Sequence, residues 1–312
     1  MTAPQATLRS DRRAVSAPPP APPRETNSKS RPGRVRRLLR SGGPYLGLAA
    51  FGLVFGVPVY WILLSSVLPS DQVLSTPPTL FTLRPTLDTF VRAFEQLPVA
   101  QYALNSMVFA LGSALASVIL AFFAAYVFAR FTFRGSNVLM LVLLLTMALP
   151  QIATTIPLFQ LYASAGLVDT MLGLVILESS ILIPMTVWLF ISFIKQIPVD
   201  LEYAAQIDGA NFAQTLQLIV IPLMKPAFVT LFVLNFITSW NELFYPLVFS
   251  STTASRTLTV GLVQLTQVNS GAAARPWDLM SAVAAIMIIP IIFLVVFMQR
   301  RIIAGLTAGA TK

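Results

Sequence analysis

Long apolar runs alternate with short polar segments along most of this chain. Six of the runs are long enough to cross a lipid bilayer, for which about 20 residues are needed. The predicted spans are Tyr45–Leu68, Ala103–Ala129, Val138–Phe159, Met171–Ile194, Ala227–Phe249 and Leu279–Met298. The pattern therefore predicts an all-α membrane protein with six transmembrane helices.

A polar segment, residues 198–226, separates the fourth predicted span from the fifth. Pro198 discourages continuation of the fourth span, and Asp200 is placed to cap a new helix that begins at Leu201. Gly209 suits a tight bend after this helix, because glycine adopts backbone conformations that other residues resist. We therefore expect a short helix that ends at a turn.

A second short helix is predicted after this turn. Asn211, with Gln214 three residues later, has the pattern of a capping box. Pro222 and Pro226 are expected to break the helix before span five. The two helices would form a hairpin at the membrane face, which suits docking of a soluble partner. An ordinary amphipathic hairpin in the membrane interface is the alternative.

Composition narrows the possible functions. Of the 312 residues, 56% are hydrophobic and 11% are charged, against about 25% charged in a typical soluble domain. The chain has no cysteine and no histidine, which excludes thiolate and imidazole metal sites, disulfides and Cys or His nucleophiles. It also has no G-x-x-x-x-G-K-[ST] loop for ATP phosphates. We therefore expect no metal site, no cofactor and no catalytic residues on this chain.

The net charge of +9 is unevenly distributed. The chain has 21 Lys and Arg residues, and ten of them lie in the N-terminal tail. With six spans and a cytoplasmic N-terminus, this tail is one of the inside segments. The inside segments also hold Arg130, Arg134, Lys195, Lys225, Arg300, Arg301 and Lys312, whereas Arg84, Arg92, Arg256 and Arg275 lie outside. The positive-inside rule thus predicts cytoplasmic N- and C-termini. The charge is a topology signal, and no nucleic-acid partner is expected.

Three regions follow from these patterns. Residues 1–43 are basic and rich in proline, and we expect a disordered cytoplasmic tail whose arginines suit anionic membrane lipid. Residues 44–298 form the predicted membrane domain, which includes the segment 198–226. Residues 299–312 form a predicted cytoplasmic C-terminal tail. The first span is too long for a signal-peptide core and is expected to be retained.

One motif resembles a known family. Leu201-Glu202-x-Ala204-Ala205-x-Ile207-Asp208-Gly209-Ala210, followed by Ile221-Pro222-Leu223 and Pro226, is similar to the EAA motif of ABC importer permeases. In that family the motif forms a helical pair that seats in a cleft of a separate ATP-binding subunit. Tyr203 departs from the pattern, because an acidic residue usually precedes the two alanines. The resemblance implies these ATPase-coupling residues: Asp200, Leu201, Glu202, Tyr203, Ala204, Ala205, Asp208, Gly209, Ala210, Asn211 and Pro222.

Further stretches resemble the maltose-type, carbohydrate-uptake permeases of that family. These stretches are Ala125–Gly135, Pro150–Pro157, Gly166–Leu174, Trp240-Asn241-Glu242 and Gly305–Lys312. The resemblance implies the permease subunit of an ATP-driven importer for a sugar or oligosaccharide, located in the cell membrane. It also implies a second permease, two ATP-binding subunits that carry ATP and Mg²⁺, and an extracytoplasmic solute-binding protein.

Polar side chains inside the predicted spans are candidates for the substrate path. Such groups are costly in a membrane and usually face a cavity or another helix, and a sugar needs both hydrogen-bonding groups and aromatic faces. The candidates are Asn235, Ser239, Trp240, Asn241, Glu242 and Tyr245 in span five, Glu178 in span four, Thr154 and Thr155 in span three, and Asn105 in span two. For each of them, bonding or packing between helices is the alternative.

Other functions stay open from the residues themselves. An ABC importer permease for a phosphorylated polyol or another polar solute would carry the same EAA pattern. An ion-coupled secondary transporter would show internal repeats and paired buried carboxylates, and we find neither. A membrane scaffold or an intramembrane enzyme is the third alternative, and no catalytic constellation supports the enzyme.

Overall fold

The computed structural model describes residues 34–268 and 276–308, and every regular element within these ranges is helical. The α-helices are α1 (Arg34–Val67), α2 (Ser70–Val73), α3 (Asp88–Gln96), α4 (Val99–Arg130), α5 (Ser136–Leu145), α6 (Gln151–Ser164), α7 (Met171–Ile194), α8 (Asp200–Ile207), α9 (Phe212–Thr215), α10 (Ile221–Trp240), α11 (Phe244–Phe249), α12 (Leu258–Val268) and α13 (Trp277–Ala308). A 3₁₀ turn, Thr146–Ala148, follows α5, and a π-helical turn, Leu216–Val220, joins α9 to α10. The predicted all-α class is confirmed.

Five helical runs of the described residues are each long and apolar enough to cross a membrane. They are Tyr45–Val67, Val99–Arg130, Met171–Ile194, Phe212–Trp240 and Trp277–Gln299. Helices α5 and α6 pass the same test together but are bent at a break, so the described residues hold five membrane-crossing helices, or six if this bent pair is one span. The predicted number of six spans agrees with the second count, and α7 has the predicted bounds.

The third span is broken rather than continuous over Val138–Phe159. Helix α5 with its 3₁₀ turn and helix α6 are bent by 102°. Pro150 explains the break, because proline has no amide hydrogen and disfavours helix in the residue before it. Leu149 is accordingly extended, with ψ of 128°. The prediction of one span over these residues is corrected to two helices.

The fifth span differs from its predicted bounds, Ala227–Phe249. The structure has one helical run, Phe212–Trp240, so the expectation that Pro222 and Pro226 break the helix is wrong. A wide π-helical turn ends at Val220, two residues before Pro222, and its extra width leaves room for the ring of Pro222 beside the preceding turn. Pro226 lies inside α10. At its other end the helix stops at Trp240, and α11 begins only at Phe244.

Two further boundaries differ from the expectation. Helix α1 begins at Arg34, inside the tail expected to be disordered, because the local run of Arg and Leu favours helix. Residues 1–33 of that tail lie outside the described residues. Helix α13 continues to Ala308, past the predicted boundary at residue 298. Helix α12 occupies part of the connection between spans five and six, which the sequence suggests is only a polar loop.

The packed core lies in the second of two units into which the chain divides, Met1–Phe55 and Gly56–Lys312. Helix α4 is at its centre and packs against α7 and α10. A face of small residues on α4, formed by Ser113, Ser117, Ala121 and Ala125, is buried. Small side chains let neighbouring helix backbones approach closely, and this face therefore positions the polar groups described below.

Candidate functional site

Two short helices around a glycine turn follow α7. Gly209 has φ of +88°, a left-handed conformation that favours glycine. The Asn211 Oδ1 atom accepts a hydrogen bond from the Gln214 amide at 2.9 Å, and Gln214 Oε1 accepts one from the Asn211 amide at 2.8 Å. The predicted capping box is confirmed. The predicted cap at Asp200 is wrong, because α8 already includes Asp200 and the preceding Val199 makes no side-chain cap.

Most of the predicted coupling residues lie on the exposed side of this segment. Tyr203 is 57% exposed. Ile207, which belongs to the same motif but is not among the predicted coupling residues, is 86% exposed. The other exposed residues are Asp200, Leu201, Ala204, Asp208, Gly209, Asn211 and Pro222, whereas Ala210 is half-buried and Ala205 is buried. We name the exposed side chains of residues 200–211 the docking surface. It combines the apolar side chains of Leu201, Tyr203 and Ile207 with two carboxylates and two side-chain amides, and this stretch contains no Lys or Arg.

Glu202 points away from the docking surface and is 5% exposed. Its Oε1 atom accepts a hydrogen bond from Arg130 Nε at 2.7 Å, and its Oε2 atom accepts one from the Tyr126 hydroxyl at 2.6 Å. Arg130 Nη2 also donates to the Ile197 carbonyl at 2.9 Å. We name Glu202, Arg130 and Tyr126 the Glu202 cluster.

Sequence reasoning missed Arg130 and Tyr126 as part of this site. Both lie in the stretch Ala125–Gly135, which resembles the same family. Their spacing of four residues places them on one face of α4, so the pair could have been found as a polar face at the end of an apolar helix. Nothing in the sequence pairs that face with Glu202, which is 72 residues later.

Asn235 and Ser239 lie in a buried polar layer between α4, α7 and α10. The Asn235 side-chain amide donates to Ser117 Oγ at 2.8 Å and to Thr186 Oγ1 at 2.9 Å. The Ser239 hydroxyl donates to Glu178 Oε1 at 3.3 Å. The structure therefore joins Asn235, Ser239 and Glu178 to neighbouring helices of the same chain. Their place in a substrate path stays a prediction.

Glu178 differs from its neighbours in this layer. It is 2% exposed, and its Oε2 atom has no hydrogen-bond partner among the described residues. Glu242 lies close enough to interact with it electrostatically. A buried carboxylate without a complete set of partners is costly, so Glu178 is the least satisfied polar group of the candidates.

Three other candidates are buried at helix contacts. Trp240 Nε1 donates to the Met287 carbonyl at 3.0 Å. The Asn105 side-chain amide donates to the carbonyls of Thr253 and Arg256 at 2.9 and 2.8 Å. Tyr245 is buried as well. In this conformation Asn105 and Trp240 hold helices and a connection in place.

The remaining candidates lie beside the helix breaks. Asn241 is exposed, and Glu242, Thr154 and Thr155 are half-buried. Glu242 Oε1 accepts hydrogen bonds from the amides of Phe244 and Tyr245 at 2.7 and 3.2 Å, which caps α11. The Tyr245 hydroxyl interacts with the Thr154 side chain. The breaks before α6 and after α10 thus bring accessible polar groups together.

Asp169 joins the α6–α7 connection to the connection after α11. Its Oδ1 atom accepts hydrogen bonds from the amides of Ser251 and Thr252 at 2.8 and 2.9 Å and from the Ser255 hydroxyl at 2.5 Å. Burial raises the pKa of this carboxyl, but the hydrogen bonds outweigh it and lower the pKa from 3.8 to about 2. Asp169 also has φ of +60°. Sequence reasoning did not include it among the candidates.

The exposed docking surface and the polar layer lie within the residues that a family comparison matches. Residues 117–307 match the family described as the binding-protein-dependent transport system inner membrane component. The chain belongs to this family. The permease is a transport subunit in the membrane and not itself an enzyme.

The permease is similar to curated relatives over most of its length. It is 32% identical over 274 residues to the sulfoquinovosyl glycerol transport system permease protein of Agrobacterium fabrum, with 87% of this chain and 95% of the relative covered. It is 34% identical over 256 residues to the trehalose transport system permease protein of Mycobacterium tuberculosis, with 82% and 92% covered. Similarity of this extent supports one common fold for these permeases.

A solved structure has the same fold. It is a bacterial ABC transporter involved in the import of the acidic polysaccharide alginate, with a TM-score of 0.72 and 22% sequence identity. The match covers 86% of the permease and 98% of that chain. The permease therefore has the fold of a membrane subunit from such a transporter.

Proposed function

We propose that this permease is one half of the translocation path of an ATP-driven importer for a sugar or oligosaccharide. The docking surface carries the proposal, because exposed large apolar side chains on a short helix, such as Tyr203 and Ile207, need a partner. A separate ATP-binding subunit is that partner, and it holds the ATP and Mg²⁺. With Lys and Arg concentrated in the predicted inside segments, both termini and the docking surface lie in the cytoplasm.

The proposed mechanism uses the docking surface as the point where force enters. Closure of two ATP-binding subunits displaces α8 and α9, and the membrane helices then switch between inward- and outward-facing arrangements by rigid-body movement. The chain makes and breaks no covalent bond in this cycle. Coupling residues on the exposed side, above all Tyr203 and Ile207, contact the ATP-binding subunit.

A second permease supplies the other half of the path. Helix α6 has 14 residues, about 21 Å of helix, which is shorter than the roughly 30 Å hydrocarbon core. Non-helical backbone such as the break at Pro150 occurs at membrane depth only beside protein or a water-filled cavity. Ile152, Ile156 and Leu161 on α6 are exposed. This short helix therefore faces the second permease and the path between them.

The substrate class follows from the relatives and from the accessible polar groups. Trehalose is named for one relative, and trehalose and maltose are named for the permease protein of Thermococcus litoralis, which is 30% identical over 269 residues. Thr154, Thr155, Asn241 and Glu242 offer hydroxyl, amide and carboxylate groups beside the breaks, which can bond sugar hydroxyls. A solute-binding protein outside the membrane delivers the sugar, as the family description implies.

A pull-down of the tagged chain from mild detergent, with mass spectrometry, tests the proposal. We expect an ATP-binding subunit and a second permease to be recovered. Gly209→Asp should abolish recovery of the ATP-binding subunit while the spans remain inserted. Gly166→Asp is the matched control, because Gly166 also has positive φ and open space where a side chain would begin, but it lies in the α6–α7 turn. A solitary chain, or equal recovery with all three proteins, would contradict the proposal.

A further inference from the structure

Helix α8 is held to the rest of the chain by few buried side chains. Of its eight residues, Glu202 and Ala205 are buried. On another side of the helix, Leu201 borders an apolar crevice of about 270 Å³ that also reaches Met224 and Ala227. Ala205 has only a methyl group to contribute. The orientation of α8 therefore depends largely on what Glu202 contacts.

The Glu202 cluster ties three segments together at short distances. Both carboxylate oxygens of Glu202 are occupied, one by Arg130 and one by Tyr126 of α4. The Arg130 guanidinium also donates a hydrogen bond to the Ile197 carbonyl, in the connection between α7 and α8. The side chains of Arg130 and Glu202 are 8% and 6% exposed, so little water competes for these charge-assisted bonds.

The second helix of the docking segment is held at the same point. The Tyr126 ring packs edge-on against the Phe212 ring of α9, with centroids 5.7 Å apart. Tyr126 thus contacts both helices of the segment, one through its hydroxyl and one through its ring. The cytoplasmic end of α4 and the two short helices form one closely connected body.

We propose that Glu202 is a positioning residue that makes α8 move together with α4, and that it does not contact the ATP-binding subunit. Because the carboxylate is buried and both of its oxygens are bonded within the chain, it has no free acceptor on the docking surface. Helix α4 packs along α7 and α10, so a displacement of α8 is passed to the core of the membrane domain. This inference rests on the proposed function, because the ATP-binding subunit supplies the displacement.

Spin labels on α4 and next to α8 test the link directly. The chain contains no cysteine, so Val127→Cys on α4 and Val199→Cys directly before α8, both exposed and outside the docking surface, can be labelled without background. The distance between the labels is measured in lipid nanodiscs, first on the chain alone and then on the complex with its co-purified ATP-binding subunit, with and without ATP, Mg²⁺ and vanadate. We expect one narrow distance that nucleotide does not change.

Glu202→Gln should broaden or split this distance while the ATP-binding subunit is still recovered. Tyr126→Phe, which removes one hydrogen bond but keeps the ring contact, should broaden it less. Glu95→Gln makes the same chemical change at an exposed position on α3 and should leave the distance unchanged. A role in stability alone would lower the unfolding temperature of Glu202→Gln without broadening the distance.

Three results would overturn the inference. They are an unchanged narrow distance in Glu202→Gln, a distance in the unaltered complex that shifts with nucleotide, and loss of the ATP-binding subunit in Glu202→Gln alone. Failure of the proposed function looks different, because no ATP-binding subunit would then be recovered with the unaltered chain. In that case the width of the distance distribution, compared between the unaltered chain and Glu202→Gln without any partner, still tests whether Glu202 links α8 to α4.

Discussion

Replacing Asp169 should loosen two connections that lie far apart in sequence. Asp169→Ala removes the acceptor for the Ser251 and Thr252 amides, which are exposed and can turn to water, and for the Ser255 hydroxyl, which is fully buried. A buried hydroxyl without a partner costs about 1–3 kcal/mol. Placing alanine at φ of +60° costs roughly 1 kcal/mol more than aspartate, whose side chain tolerates that region. We therefore expect a loss of about 3 kcal/mol of unfolding free energy.

The assay is thermal unfolding of the purified protein in detergent, followed by the fluorescence of its four tryptophans. Asp169→Asn is the matched variant, because its side-chain oxygen still accepts and asparagine also adopts positive φ. We expect Asp169→Asn to lower the Tm by less than half as much as Asp169→Ala. An unchanged Tm in Asp169→Ala would refute the assigned role of the carboxylate, and an equal loss in both variants would refute the role of the backbone conformation.

The same carboxylate predicts a pH dependence. Its pKa is lowered from 3.8 to about 2 in the folded protein, so the folded state favours the ionised form. The stability it contributes is complete above the unfolded pKa, near 4, and is lost as the pH falls toward 2. The Tm difference between the unaltered chain and Asp169→Asn should therefore be constant from pH 7 to 5 and shrink below pH 4. A constant difference down to pH 3 would contradict this.

Three further changes test the interior and the docking segment. Glu178→Met should raise the Tm, because an apolar side chain of similar length removes a buried carboxyl oxygen that has no hydrogen-bond partner among the described residues, a gain of about 1–3 kcal/mol; a lower Tm would show that this oxygen has a partner. Gly173→Ala should lower the Tm because its Cβ would overlap the Leu167 carbonyl, whereas Gly56→Ala, which meets open space, should not. Ile207→Ser should reduce recovery of the ATP-binding subunit in the pull-down without changing the Tm, since this side chain is 86% exposed; unchanged recovery would remove Ile207 from the docking surface.

Features that depend on neighbouring residues could be predicted from the sequence. The bounds of α7 follow from one uninterrupted apolar run, and the capping box at Asn211 and Gln214 depends on two residues three positions apart. Gly209 takes positive φ, as its place between two helical patterns predicts. In each case the residues that decide the conformation lie close together in the sequence.

Features that depend on residues far apart in the sequence could not be predicted from it. Glu202 stands in a polar motif, and only the position of Arg130 on another helix shows that its carboxylate points inward. Pro222 breaks an isolated helix, but here a wide turn before it relieves the steric conflict, and α10 continues through Pro226. The substrate-path candidates divide in the same way, because burial of Asn235 and exposure of Asn241 depend on how α4, α7 and α10 pack.

The π-helical turn at Leu216–Val220 also limits how this chain can change length during evolution. One residue more or less in the run Asn211–Pro222 that the turn does not absorb would swing the preceding segment by about 100° around the helix axis. The docking surface would then face a different direction while every membrane helix stayed intact. We therefore expect insertions and deletions in related chains to avoid this run and to accumulate in connections such as the one that precedes α12. The direction in which the docking surface faces therefore depends on the number of residues between Asn211 and Pro222.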